Sequence, residues 1–220
     1  MRLKPRRGTR RTVRSAALAC LLPLLLPGCH EEATSPSPTL TLSRSPDGLA
    51  VAGVTAVVLT ADASLAGGDA LAVSWDFGDG QTGSGASVTH VYAREGVYAV
   101  SVTASGSRGG VTTTGAAVTV GGLGGRWLLS GGGERFYETG FDITQAGPTL
   151  GGRPYSVPDK GCLGEIHGVA TTPRAVRFVF RSCDGDDVII EGTASGDLRS
   201  IAGTFTHPEV GTAPIVLSRQ

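Results

Sequence analysis

The chain has 220 residues, of which 19 are basic, 19 are acidic and 34 are glycine. Seven basic residues and no acidic ones lie in the first 28 positions, which leaves 12 basic against 19 acidic residues, a net charge of −7. Because no basic stripe remains, binding to nucleic acid has no electrostatic support.

The N-terminus has the pattern of an export signal. A basic stretch over residues 1–14 precedes an apolar run over residues 16–26. That run is shorter than the ~20 residues a membrane-spanning helix needs, so it predicts a secretory signal instead. The segment Leu26-Pro27-Gly28-Cys29 that ends it resembles a bacterial lipobox. The resemblance implies removal of residues 1–28 and lipidation of Cys29, which would anchor the protein to the cell envelope. The residue after Cys29 is His30, whereas an aspartate at this position would resemble an inner-membrane retention signal. We therefore expect sorting to the outer membrane. A plain signal with an incidental cysteine is the alternative.

Two cysteines remain after Cys20 leaves with the signal and Cys29 takes the lipid. In an oxidising compartment, Cys162 and Cys183 are predicted to form a disulfide. It would close a loop of about 22 residues and contribute ~3 kcal/mol. Because there is no CxxC spacing, a zinc site is a weaker interpretation.

The composition divides the exported chain into four parts. Residues 29–38 form a Pro/Ser-rich tether that cannot bury a core. A β-rich domain is predicted over residues 39–120, a glycine linker over 121–125 and a second β domain over 126–220. Each domain is long enough for one small core.

Alternating apolar residues in the first domain predict five or six strands and a β-sandwich. In the run Val97–Ala104, one face consists of Tyr98, Val100, Val102 and Ala104. The other predicted strands are Val54–Ala61, Leu71–Phe77, Ser87–Tyr92 and Val111–Val120.

A six-residue motif, Trp75-Asp76-Phe77-Gly78-Asp79-Gly80, ends one of these strands. Trp75 and Phe77 share a face and can fill the space between two sheets. Gly78 and Gly80 permit positive φ, and Asp76 and Asp79 can accept hydrogen bonds from turn amides.

With the downstream His90, Tyr92, Gly96 and Tyr98, this motif resembles the PKD domain, over about 80 residues. The resemblance implies an immunoglobulin-like sandwich in which His90 and Tyr92 lie near the motif turn and Gly96 precedes the long strand. It also implies an extracellular spacer or binding module without catalytic activity. Calcium binding by Asp76 and Asp79 is an alternative, but too few convergent oxygens can be named. We therefore expect no metal and no cofactor.

The second domain is predicted to be an up-and-down β-barrel of eight strands. The strands are Arg126–Ser130, Arg135–Gln145, Thr149–Tyr155, Gly164–Ala170, Ala175–Ser182, Val188–Ala194, Ser200–Thr206 and Pro214–Ser218. The opening Gly125-Arg126-Trp127 resembles the start of a lipocalin-like barrel. Alternation places Val176, Phe178 and Phe180 in the core, with Phe141, Ile143, Ile189 and Phe205 as further candidates. So short a chain predicts an interior filled by side chains.

Glu165 and His167 share one face of a predicted strand, as two metal ligands or an acid–base pair would. Because no third ligand lies at a recognisable spacing, an outward-facing solvated pair is preferred, and His207 could join them only through the tertiary fold. The run Asp184–Asp187 lacks the glutamate of a calcium loop and is predicted to be a hairpin turn.

These patterns predict a lipid-anchored, non-enzymatic envelope protein that binds a protein or carbohydrate, with its first domain as a spacer or adhesion module. A barrel that inhibits secreted enzymes is one alternative. A hydrolase that uses Glu165 and His167 is another.

Overall fold

The computed structural model describes residues 36–131, 139–156, 163–182 and 185–220. No helix occurs in these ranges, and none is therefore long and apolar enough to cross a membrane. The signal, Cys29 and the first part of the tether lie outside them. Residues 35–220 are grouped as one compact unit.

The first domain is a sandwich of two sheets. Its strands are β1 (Thr39–Ser45), β2 (Ala50–Val51), β3 (Val57–Ser64), β4 (Leu71–Asp76), β5 (Thr82–Ser84), β6 (Ser87–His90), β7 (Gly96–Gly106) and β8 (Val111–Gly121). One sheet has the order β1-β3-β6 and the other β2-β8-β7-β4-β5. The two short strands β2 and β5 bring the number above the five or six expected.

The sandwich core confirms the predicted faces. Val100, Val102 and Ala104 of β7 are buried, and Trp75 and Phe77 join them between the sheets. Because side chains alternate along a strand, the intervening positions Ser101 and Thr103 lie on the outer face and are more exposed.

The second domain is a closed antiparallel barrel of eight consecutive strands. They are β9 (Gly125–Gly131), β10 (Gly140–Ala146), β11 (Thr149–Ser156), β12 (Leu163–Ala170), β13 (Ala175–Ser182), β14 (Asp187–Ala194), β15 (Ser200–His207) and β16 (Gly211–Arg219). Each pairs with the next, and β16 pairs with β9. The predicted up-and-down barrel is confirmed.

The barrel core contains Phe141, Ile143, Val176, Phe178, Phe180 and Phe205, as expected. The prediction is wrong for Ile189: the buried residues of β14 are Val188, Ile190 and Ala194, and Ile189 is only partly buried. In the run Val188-Ile189-Ile190 all three residues are apolar, so the pattern could not choose the inward face. The pairing of β13 and β14 chooses it, because Ile190 lies opposite the inward-facing Phe178.

Candidate functional site

The motif at the end of β4 forms a tight turn whose aromatic residues face inward. Trp75 is 2% exposed, and its indole nitrogen donates to the Gly85 carbonyl at 2.9 Å. Phe77, 4% exposed, closes the core on the same side. A buried tryptophan needs such a partner for its N–H, and the neighbouring loop supplies it.

Both motif carboxylates accept backbone hydrogen bonds within the turn. Asp76 Oδ1 accepts from the Gly78 amide at 2.8 Å, and Asp79 Oδ1 accepts from the Gln81 amide at 3.0 Å. Gly78 and Gly80 have φ of 78° and 88°, values that favour glycine. The geometry is that of two successive Asx turns.

The other Asp79 oxygen pairs with a histidine from across the sandwich. His90 Nε2 lies 2.8 Å from Asp79 Oδ2, and both side chains are largely buried. The imidazole stacks on Phe77 with ring centres 4.1 Å apart and meets Tyr92 edge-on at 4.6 Å. Burial by itself raises the pKa of the Asp79 carboxyl. The hydrogen bonds from His90 and Gln81 and the attraction of His90 together outweigh it, and the pKa lies below its usual value.

Tyr92 completes this cluster. Its hydroxyl donates to the Phe77 carbonyl at 3.1 Å, and its ring stacks on Tyr98 at 4.3 Å. Burial, together with the nearby charge of Asp79, raises the pKa of Tyr92 to about 12. Tyr98 in turn donates to the Arg94 carbonyl just before Gly96, where β7 begins. The cluster therefore ties the motif turn to the start of β7.

This geometry supports a structural role for the motif. Within the described ranges no group of three acidic, histidine or cysteine side chains is placed to hold a metal ion. One oxygen of each motif carboxylate accepts a backbone amide, as in a turn residue.

The barrel keeps His207 apart from the other two titratable candidates, Glu165 and His167. Glu165 and His167 of β12 are both exposed on the outer wall, whereas His207 of β15 is 1% exposed and shares the inward face with Phe205. The Glu209 amide donates to His207 Nδ1 at 3.1 Å. The fold thus does not bring His207 to the Glu165–His167 pair. Cys162, Cys183 and Asp184 lie outside the described residues, so the disulfide stays a prediction.

Side chains fill the barrel interior. Phe141, Phe178, Phe180 and Ile190 surround a void of only about 10 Å³. A single water needs at least this much space, and this void has an entirely apolar lining.

The larger concavity is a groove at the seam between the sandwich and the barrel, which we call the seam groove. Residues between Ser45 and Val58 line one side, and Pro173 and Arg174 of the β12–β13 turn line the other. Its volume is about 500 Å³, within the range of small-ligand and peptide-side-chain pockets. Leu49, Val54 and Val58 make much of its surface apolar, and Arg174 adds an exposed cation. Sequence reasoning missed this groove, because it arises only where the two domains meet.

The fold and the motif turn define an immunoglobulin-like β-sandwich joined to a closed barrel. Residues 44–120 match the family model of the PKD domain, and this part of the chain is a PKD domain. Its solved relatives include the PKD1 domain of Vibrio anguillarum Epp, with 28% identity over 39% of this chain and 95% of the other, at a TM-score of 0.33. Carbohydrate-binding modules of the β-sandwich superfamily align with 13% identity over 83% of this chain and 92% of the other, at a TM-score of 0.37. No curated protein matches the chain.

Proposed function

We propose that this is a lipid-anchored envelope protein that binds its ligand without catalysis, on the surface of a combined PKD–barrel unit. The observation that supports this most directly is the filled barrel, which has an interior void of about 10 Å³ and leaves no room for a substrate there. The lipobox-like segment ending at Cys29 and the tether to residue 38 would join this unit to the outer membrane.

We propose the seam groove as the contact surface. Its volume suits an inserted side chain or a short extended segment, and its apolar lining favours a peptide over a sugar ring, whose hydroxyls would need polar partners. Arg174 at the rim would pair with a carboxylate of the ligand. The partner class is therefore a protein segment that presents apolar and acidic side chains.

The test is a pull-down from envelope extract with residues 30–220, together with a glycan array as the carbohydrate arm. Two valines of matched exposure provide the variants: Val58, 39% exposed in the groove, and Val216, 40% exposed on the barrel wall. We expect Val58→Asp to abolish capture of a specific protein and Val216→Asp to preserve it. Equal capture by both variants contradicts the proposal that the seam groove is the contact surface. Binding to glycans alone contradicts the proposal that the ligand is a protein segment.

The anchor and the absence of catalysis need separate tests. Cys29→Ser in the full-length protein is expected to prevent lipid labelling and release the protein from the membrane fraction. Hydrolysis of any substrate that Glu165→Gln abolishes would overturn the non-catalytic proposal.

A further inference from the structure

The sandwich and the barrel share one hydrophobic core. Leu123, in the short connection between β8 and β9, is 0% exposed and belongs to the same cluster as the barrel interior. Val51 of the sandwich belongs to that cluster too, and Leu49 and Val54 pack against it. We call residues 49–55 the cap loop. Apolar side chains of the sandwich and the connection therefore close one end of the barrel.

A glutamine of the barrel fastens this end to both the cap loop and the connection. Gln145 Oε1 accepts from the Leu123 amide at 2.6 Å, and its Nε2 donates to the Ala52 carbonyl at 2.9 Å. Trp127 Nε1 donates to the Leu123 carbonyl at 2.9 Å. Arg219, near the end of the last strand, donates to the carbonyls of Gly122 and Gly124. A glycine-rich segment bonded in this way is not free to act as a hinge.

Two glycines let the cap loop approach the barrel closely. A Cβ added to Gly53 would collide with the backbone of Gly147, in the β10–β11 turn. A Cβ added to Gly147 would point into open space. Both residues have positive φ, 68° and 59° respectively. Substitution by alanine therefore strains both backbones, but only at Gly53 does it also push the two domains apart.

A strained leucine supports the same interface from the barrel side. Leu198, between β14 and β15, has φ of 56° and is the non-glycine residue with positive φ in the described ranges. Its side chain is 2% exposed, and a Cβ on Gly121 would lie 3.0 Å from it and 3.1 Å from Leu49. Such backbone strain persists only where the surroundings hold it, and here the sandwich supplies part of those surroundings.

We infer that the base of the barrel is a docking surface for its own PKD domain, so that the two domains fold and unfold as one cooperative unit. Separation would expose Leu123, Leu198 and the neighbouring core to water and break the bonds of Gln145. The inference is independent of the ligand proposed for the seam groove.

The two tryptophans of the chain provide the test, since Trp75 lies in the sandwich and Trp127 in the barrel. In residues 30–220 carrying Trp75→Phe, the fluorescence of Trp127 reports the unfolding of the barrel in urea. We then add Val102→Ala, which creates a cavity in the sandwich core, in a cluster of buried residues separate from that of the barrel. Cooperative unfolding lowers the urea midpoint of the barrel signal, and independent domains leave that midpoint unchanged, which would overturn the inference.

Gly53→Ala and Gly147→Ala are the matched pair. We expect Gly53→Ala to remove the effect of Val102→Ala on the barrel midpoint and to speed proteolysis within residues 121–125 at least about tenfold. Gly147→Ala should lower the urea midpoint of the barrel signal, and Val102→Ala should still lower that midpoint further in this variant. Equal behaviour of the two variants would contradict the inference. Calorimetry of the chain without substitutions covers the case in which a variant fails to fold: one transition supports the inference and two overturn it.

Discussion

His90 Nε2 and Asp79 Oδ2 lie 2.8 Å apart, and this pair joins the motif turn of one sheet to strand β6 of the other. The stacking of His90 on Phe77 fixes the imidazole plane, so the hydrogen bond and the aromatic contact hold the same side chain. The motif carboxylate therefore acts across the sandwich as well as within its own turn.

Asp79→Asn is expected to destabilise the protein by about 1–2 kcal/mol at neutral pH, because a charge-assisted hydrogen bond becomes a neutral one. The pKa of Asp79 is lowered in the folded state. The stability that this carboxylate contributes is thus complete above its ordinary pKa of 3.8 and is lost as the pH falls through the folded value. Urea unfolding at several pH values should show that the variant loses less stability than the wild-type protein as the pH falls. Asp62→Asn, at an exposed position of β3, is the control at neutral pH.

Tyr92→Phe tests the buried hydroxyl. Loss of its hydrogen bond to the Phe77 carbonyl should cost about 1 kcal/mol. Because the folded pKa of Tyr92 is raised from 10.0 to about 12, its contribution is complete below pH 10 and is lost as the pH rises through about 12. The wild-type protein should lose stability over this interval, and the variant should lose less. An unchanged alkaline slope would show that Tyr92 ionises equally in both states.

The two motif glycines should differ in their tolerance of a side chain. A Cβ on Gly78 would lie 2.7 Å from the Ala99 carbonyl oxygen, whereas one on Gly80 would meet nothing within 4 Å. Both positions have positive φ, so alanine costs roughly 1 kcal/mol at each through the backbone. We expect Gly78→Ala to lower the free energy of unfolding by about 1 kcal/mol or more beyond the loss caused by Gly80→Ala, because its Cβ overpacks the contact with Ala99. Thermal unfolding measures the difference.

The disulfide is expected between Cys162 and Cys183. Their sequence neighbours Leu163 and Ser182 are cross-strand partners of β12 and β13, which favours bridging of the next residues along. Non-reducing peptide mapping should recover the linked pair. Reduction, or Cys162→Ser with Cys183→Ser, should lower stability by ~3 kcal/mol. Two free thiols in the exported protein would contradict the bridge.

Strand positions were predictable wherever polar and apolar residues alternate. Ala175–Ser182 has the observed bounds and inward face, because arginines mark its outer side at positions 177 and 181. Ile189 was misassigned because its neighbours are also apolar. The motif turn was predictable from residue types alone, since aspartate and glycine act there through local backbone geometry.

The seam could not be predicted in the same way. Gly121–Gly125 has the composition of a flexible linker, and a single leucine among four glycines does not indicate burial. The contacts of Leu123 include Gln145, which is 22 residues away in the sequence and is brought to the Leu123 amide by the barrel fold. The Asp79–His90 pair likewise depends on how β6 packs over the motif turn.

The close approach of Gly53 to Gly147 also bears on how this protein can change by recombination. Independent domains joined by flexible linkers can be exchanged one at a time. Here each of the two neighbouring domains supplies a backbone surface that fits the other. A replacement PKD domain with any residue other than glycine at position 53 would clash with the backbone of Gly147. A replacement barrel without Gln145 would lose the hydrogen bonds to the Leu123 amide and the Ala52 carbonyl. The two domains are therefore expected to be inherited and transplanted as one unit that includes residues 49–55 and 121–125.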